Sequence, residues 1–223
     1  SKVKLSIETR FNKVLGMSAD EDAEFLTKII QKSPKSALDC HISTNAIFVR
    51  LPGNDKRLEV WIRDEKQFDD WVVNHDFDAV GNWNKKGILQ GFIHITPILS
   101  EEYTPQVLNY DLSGIIDFSK GCYTGQEIIA RMHYRGTAKK RLSLLLSKSV
   151  IKQDSEVIQR YGDKTNFSKV LAYSNSSNES ENSALLSILD ITSGESNFSL
   201  SSPTNEEQVL NLQSLSYSLA DDQ

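Results

Sequence analysis

Beyond Gly136 the apolar residues of this chain come only in short runs, Leu142 to Leu146, Val170 to Tyr173 and Ala184 to Leu189, each cut off by a polar stretch. Runs of this length between turn formers suit short strands, and they predict a small all-β barrel over 136–223. The stretch Ser174-Asn175-Ser176-Ser177-Asn178-Glu179-Ser180 is too polar to bury and is expected at a hairpin tip or in a locally disordered loop. No apolar run approaches the roughly 20 residues needed to cross a bilayer as a helix, which argues against a membrane-embedded role.

The first eighty residues read differently. Residues 2–7 and 13–17 look like strands, Ser18 to Glu21 is a Ser-x-x-Glu capping box, and Phe25, Leu26, Ile29 and Ile30 share one face of the helix it starts. Two further strands, Ala46 to Leu51 and Arg57 to Arg63, flank the turn-forming Pro52-Gly53-Asn54-Asp55, and a second helix is expected from Glu65 to Asn74. That order suits an α+β layer, a small antiparallel sheet carrying helices on one face. Residues 83–91 predict a short helix closed by Gly91, and Ser100 to Asp117, with little periodicity, predicts a long ordered connection.

Composition narrows the function. With 223 residues, 39% of them hydrophobic and 25% charged, the chain can bury a core for one large domain or two small ones. Cys40 and Cys122 are its only cysteines, so no four-thiolate zinc or iron–sulfur cage can be built within one chain. His41, His75, His94 and His133 show no zinc spacing, and no metal site is expected. A reducing, cytoplasmic setting is the default for such cysteine usage. The net charge of −5 argues against a whole-surface nucleic-acid binder and leaves a local basic patch as the route to any RNA contact.

The segment richest in chemistry is Lys120-Gly121-Cys122-Tyr123-Thr124-Gly125-Gln126-Glu127. Thr124 to Glu127 reads as a second capping box with helix continuing through Arg131, which places Cys122 just before a helix N-terminus. The helix dipole and Lys120 would then favour the thiolate, as a nucleophile, a redox thiol or one ligand of a shared metal centre needs. The same spacing also suits a small apolar residue between two turn glycines. Farther on, Arg131, His133, Arg135, Lys139, Lys140 and Arg141, with Tyr134 interleaved, form either a phosphate-facing strip or a solvated cluster. Trp83, between Asn82 and Asn84, is either a core residue or a partly exposed indole for a planar ligand.

Lys120 to Glu127 resembles the Lys-Gly-Cys-Tyr-x-Gly-Gln-Glu motif of the YgfZ family, relatives of the aminomethyltransferase, or T protein, of the glycine cleavage system. Tyr103-Thr104-Pro105-Gln106 with Asn109 is similar to the stretch upstream of that motif, and Arg131, Tyr134, Arg135, Gly136, Lys140 and Arg141 to the stretch after it. Leu215-Ser216-Tyr217-Ser218-Leu219 resembles the C-terminal tail of bacterial members. The resemblance implies an α+β fold with a ferredoxin-like domain over 1–80, part of a folate-binding domain over 81–135 and a C-terminal β-barrel over 136–223. It also implies that about the first third of a typical member is missing from this chain.

In function, the resemblance implies tetrahydrofolate as cofactor, with Trp83 stacking on it, and Cys122 as an essential thiol. It further implies support of iron–sulfur enzymes or assembly proteins and, through one such enzyme, an effect on tRNA thiolation, with no classical catalysis. Two departures stand out: Leu89-Gln90-Gly91 replaces a Glu-Ala-Gly that carries an acidic group near the pterin, and Ile93 replaces a proline. One alternative is a tetrahydrofolate-dependent aminomethyltransferase, although T proteins lack the motif. Another is a non-catalytic module docking a protein or tRNA through Arg131 to Arg141.

Overall fold

The computed structural model describes residues 13–18, 34–63, 80–136, 138–176, 180–201 and 207–217, with residues 11, 69, 178 and 219. The chain divides into two compact units, Ser1–Asp78 and Ala79–Gln223.

In the first unit, strands β1 (Lys13–Ser18), β2 (Cys40–Ile42), β3 (Ala46–Arg50) and β4 (Arg57–Ile62) form an antiparallel sheet in the order β1-β4-β3-β2. Alternation sets its faces: Met17, Ala46, Phe48, Leu58, Val60 and Ile62 are buried on one side, whereas Val14 and Trp61, paired across β1 and β4, are exposed on the other. Three of the expected strands are present within a residue of their predicted ends. The three-residue β2 was not expected, being too short to show a period. The strand expected over 2–7 and the helices expected after Ser18 and Glu65 lie outside the described residues, Asp69 apart.

The second unit holds helices α1 (Val80–Leu89) and α2 (Gln126–Arg135) and strands β5 (Lys140–Ser147), β6 (Glu156–Tyr161), β7 (Lys164–Ser174), β8 (Ser183–Asp190), β9 (Asn197–Ser201) and β10 (Gln208–Gln213). The strands close into a barrel in the order β10-β5-β8-β7-β6-β9. Leu145, Val157, Leu185, Leu189, Leu200 and Leu210 fill its interior with Ile151. On the outside, Leu142, Leu144, Ala184 and Leu186 pack against Ile88, Ile93, Leu99 and Leu108. β5 and β8 are therefore buried on both faces, which is why they read as continuous apolar runs. The polar stretch after Ser174 is the tip of the β7–β8 hairpin, where Asn175 accepts from Ile151 N–H and donates to Ile151 O.

Helix α1 ends as the sequence predicts, with Gly91 at a left-handed φ of 71°, though it starts three residues earlier than expected. The C-terminal tail closes over this turn. Tyr217 OH donates to Gly91 O at 3.0 Å and accepts from Asn109 Nδ2 at 3.2 Å, while Ser216 Oγ donates to Gln90 O at 3.2 Å. A Cβ on Gly91 would lie 2.5 Å from Leu215 Cδ2 and 2.7 Å from Tyr217 OH. Gly91→Ala is therefore expected to cost on the order of 1–3 kcal/mol of unfolding free energy in urea melts, from overpacking and backbone strain together. A loss below about 0.5 kcal/mol, the usual size of a surface change, would show that the tail does not press on this turn.

Candidate functional site

The motif occupies the approach to α2. Asp117 opens a turn in which Ser119 N–H and Oγ donate to its carboxylate at 2.8 and 2.6 Å, and these bonds hold the Asp117 carboxyl below its usual range. Lys120 follows, its Nζ 4.5 Å from the centre of the Tyr123 ring. Gly121 and Cys122 are exposed on an irregular stretch, and Gly121 is not left-handed, contrary to the turn expected there. Gly125 is left-handed, with φ of 88°. Tyr123, Gly125, Gln126 and Glu127 line an open cleft of about 600 Å³ with Ile128 and Ala130.

The expected capping box does not form. The N-cap is Gly125, with no side-chain cap bond, so the helix starts one residue later than Thr124 would require. Thr124 and Glu127 thereby fall out of capping register. Tyr123 N–H instead donates to Gln126 Oε1 at 3.4 Å, and Glu127 pairs with Arg131 at 3.0 Å, one helical turn on.

What fixes α2 is a buried polar knot upstream. Gln106, 1% exposed, donates from Nε2 to Ile129 O at 2.8 Å, tying its turn to the helix. Arg141 Nη1 donates to Gln106 O at 2.8 Å and to both carboxylate oxygens of Asp111 at 2.7 and 3.0 Å. Asn109 Nδ2 donates to Leu142 O at 2.7 Å, and Leu142 N–H donates to Val107 O at 2.8 Å. Asn109 is left-handed, with φ of 60°, a conformation asparagine tolerates better than most side chains.

These contacts correct one expectation. Arg141 is 3% exposed and ion-paired with Asp111, so it is not part of a surface strip facing phosphate. Arg131, Lys139 and Lys140 are exposed, and Arg135 is the last residue of α2. Trp83, on α1, is half-buried and does not line the cleft beside the motif. Sequence reasoning missed Asp111, a lone carboxylate thirty residues from its partner, and Phe118, whose ring stacks on His133 at 3.7 Å. Among the described residues no group of three His, Cys, Asp or Glu could hold a metal ion, and no helix is long and apolar enough to cross a membrane.

No established family profile matches the chain. Curated proteins do match: over 65 residues it is 48% identical to the tRNA-modifying protein YgfZ of Colwellia psychrerythraea, covering 29% of this chain and 20% of that protein. Over part of its length this chain is similar to curated YgfZ proteins. It is also 29% identical over 153 residues to the tRNA-modifying protein YgfZ of Hamiltonella defensa, covering 67% of this chain and 45% of that one. With the Escherichia coli protein of the same name it shares 44% identity over 63 residues, 28% of this chain and 19% of that one. The chain spans less than half the length of these YgfZ relatives.

Two outcomes follow from the knot. Asp111→Asn leaves the Arg141 charge buried without its counter-ion and is expected to cost about 3–5 kcal/mol in denaturant unfolding, against which an unchanged midpoint would count decisively. Burial raises the Tyr217 phenol above its ordinary value. A raised pKa means that stability from this group is fully present below about pH 10 and is lost as pH climbs through the folded-state value. Alkaline melts of Tyr217→Phe should therefore fall less steeply above that pH than those of the unaltered protein. Parallel curves would remove the assignment.

Proposed function

We propose that this chain works as a YgfZ-type accessory protein that binds folate, supports iron–sulfur enzymes in the cytoplasm and through one of them supports tRNA thiolation. The observation that carries the reading is the exposed Cys122 within an unbroken Lys120–Glu127 motif, in a chain whose curated relatives are named tRNA-modifying proteins. Cys122 serves as a redox thiol or as a transient ligand to a client's cluster, and both roles need a thiol that a partner can reach. The first unit's sheet corresponds to the ferredoxin-like layer of the family, and residues 81–135 to part of its folate-binding domain.

Trp83 is the residue for stacking on a pterin. Its half-buried ring, with Asn82 and Asn84 exposed on either side, suits one-sided contact with a planar ligand. Leu89 and Gln90 are uncharged, so this stretch offers the pterin no carboxylate.

Two experiments test the proposal. In source cells deleted for this gene, mass spectrometry of tRNA nucleosides should show thiolated species reduced, restored by the unaltered chain and not by Cys122→Ala. Full restoration by Cys122→Ala would remove the thiol from the function. In vitro, tetrahydrofolate should change the tryptophan fluorescence of the chain, and Trp83→Phe should abolish most of that change. An identical titration in the variant would sink the folate assignment.

A further inference from the structure

We propose that the C-terminal half of α2, with the loop carrying Phe118, is a docking face for an unpaired RNA segment. Two independent features of this face point the same way. The first is aromatic: Phe118 and His133 stack with centroids 3.7 Å apart and planes 11° from parallel, and Tyr134 meets His133 edge-on at 4.8 Å. Tyr134 is 70% exposed and His133 is exposed as well, so ring surface faces outward beside a stack that is already formed. Unpaired bases are held on such platforms because every base has a π-face, whereas a duplex keeps its bases stacked inside.

The second feature is charge. From Asp117 to Lys140 the sequence carries five Lys or Arg and two carboxylates, in a chain whose net charge is −5. Of these carboxylates, Glu127 is paired with Arg131 and Asp117 accepts from Ser119 N–H and Oγ. Lys120, Lys139 and Lys140 are exposed, which places cations on both chain sides of the aromatic group. A polyanion is the partner this local reversal of sign fits, and the exposed rings select a strand with accessible bases. The inference stands on this surface alone and goes beyond the accessory role, which requires no direct RNA contact. Failure of the folate or Cys122 experiments would leave it intact.

Fluorescence anisotropy with a labelled unpaired oligoribonucleotide of about 12 nucleotides, within usual site sizes, tests it directly. The full chain should bind saturably and more tightly than it binds the corresponding duplex. Tyr134→Ala should weaken binding about tenfold, the size of one lost base stack. Lys139→Gln with Lys140→Gln should reduce the slope of log affinity against log salt by about 0.7 per lysine. Lys148→Gln, an exposed lysine elsewhere on the barrel, should change neither, and circular dichroism melts should coincide for all variants. Absence of saturable binding, equal affinity for duplex, or a Tyr134→Ala variant that binds like the parent would overturn the proposal.

Discussion

The second unit depends on the ion pair between Arg141 and Asp111. Both side chains are almost wholly removed from water, at 4% and 5% exposure, and one guanidinium nitrogen meets three oxygens. Burying two charges is costly, so such a pair adds little net stability compared with apolar packing of the same volume. Its value here is positional. The segment from Pro97 to Gly114 runs as successive turns with a single backbone bond to β5, Leu142 N–H to Val107 O, and its remaining polar groups must still be satisfied. Arg141 on β5 supplies that, and Gln106 passes the constraint to α2 through Ile129 O. The motif loop is thus attached to a barrel strand through two side chains.

Legibility in the sequence followed burial geometry. β5, β7 and β8 announced themselves because much of each is apolar on successive residues; β5 and β8 are covered on both faces. β6, β9 and β10 did not, because polar residues cut the apolar ones in Glu156–Tyr161, Asn197–Ser201 and Gln208–Gln213 into pieces of one or two. Some of those polar residues are themselves buried. Gln159, 2% exposed, donates from Nε2 to Asp190 O and accepts from Asp190 N–H, bracing the β8–β9 turn from β6. A glutamine inside a barrel looks like a surface residue to any hydropathy reading.

The local geometry of the motif was only partly legible. Tyr123, Gly125, Gln126 and Glu127 of the motif line one cleft, and Gly125 takes the left-handed turn that its residue type suggests. The capping box failed because glycine itself occupied the N-cap, a choice that spacing alone cannot distinguish from Thr124 one residue earlier. Arg141 was misread because five neighbouring basic residues gave it the look of a charge run, and its partner lies thirty positions upstream. The similarity of Gln106, Asn109 and Tyr217 to family stretches now has a physical content. Gln106 and Asn109 hold the turn segment, and Tyr217 locks the tail onto the end of α1, the helix that carries Trp83.

The central claim is that the motif-bearing segment and the barrel are one cooperative structure joined at Arg141. Native-state hydrogen exchange tests it most directly, since it reports the opening free energy of each amide separately. The account predicts that amides of 86–93 and 106–113 open with the same free energy as those of β5 and β8, and that all fall together in Arg141→Met. If the turn segment exchanges freely while β5 and β8 stay protected, the barrel does not position the motif.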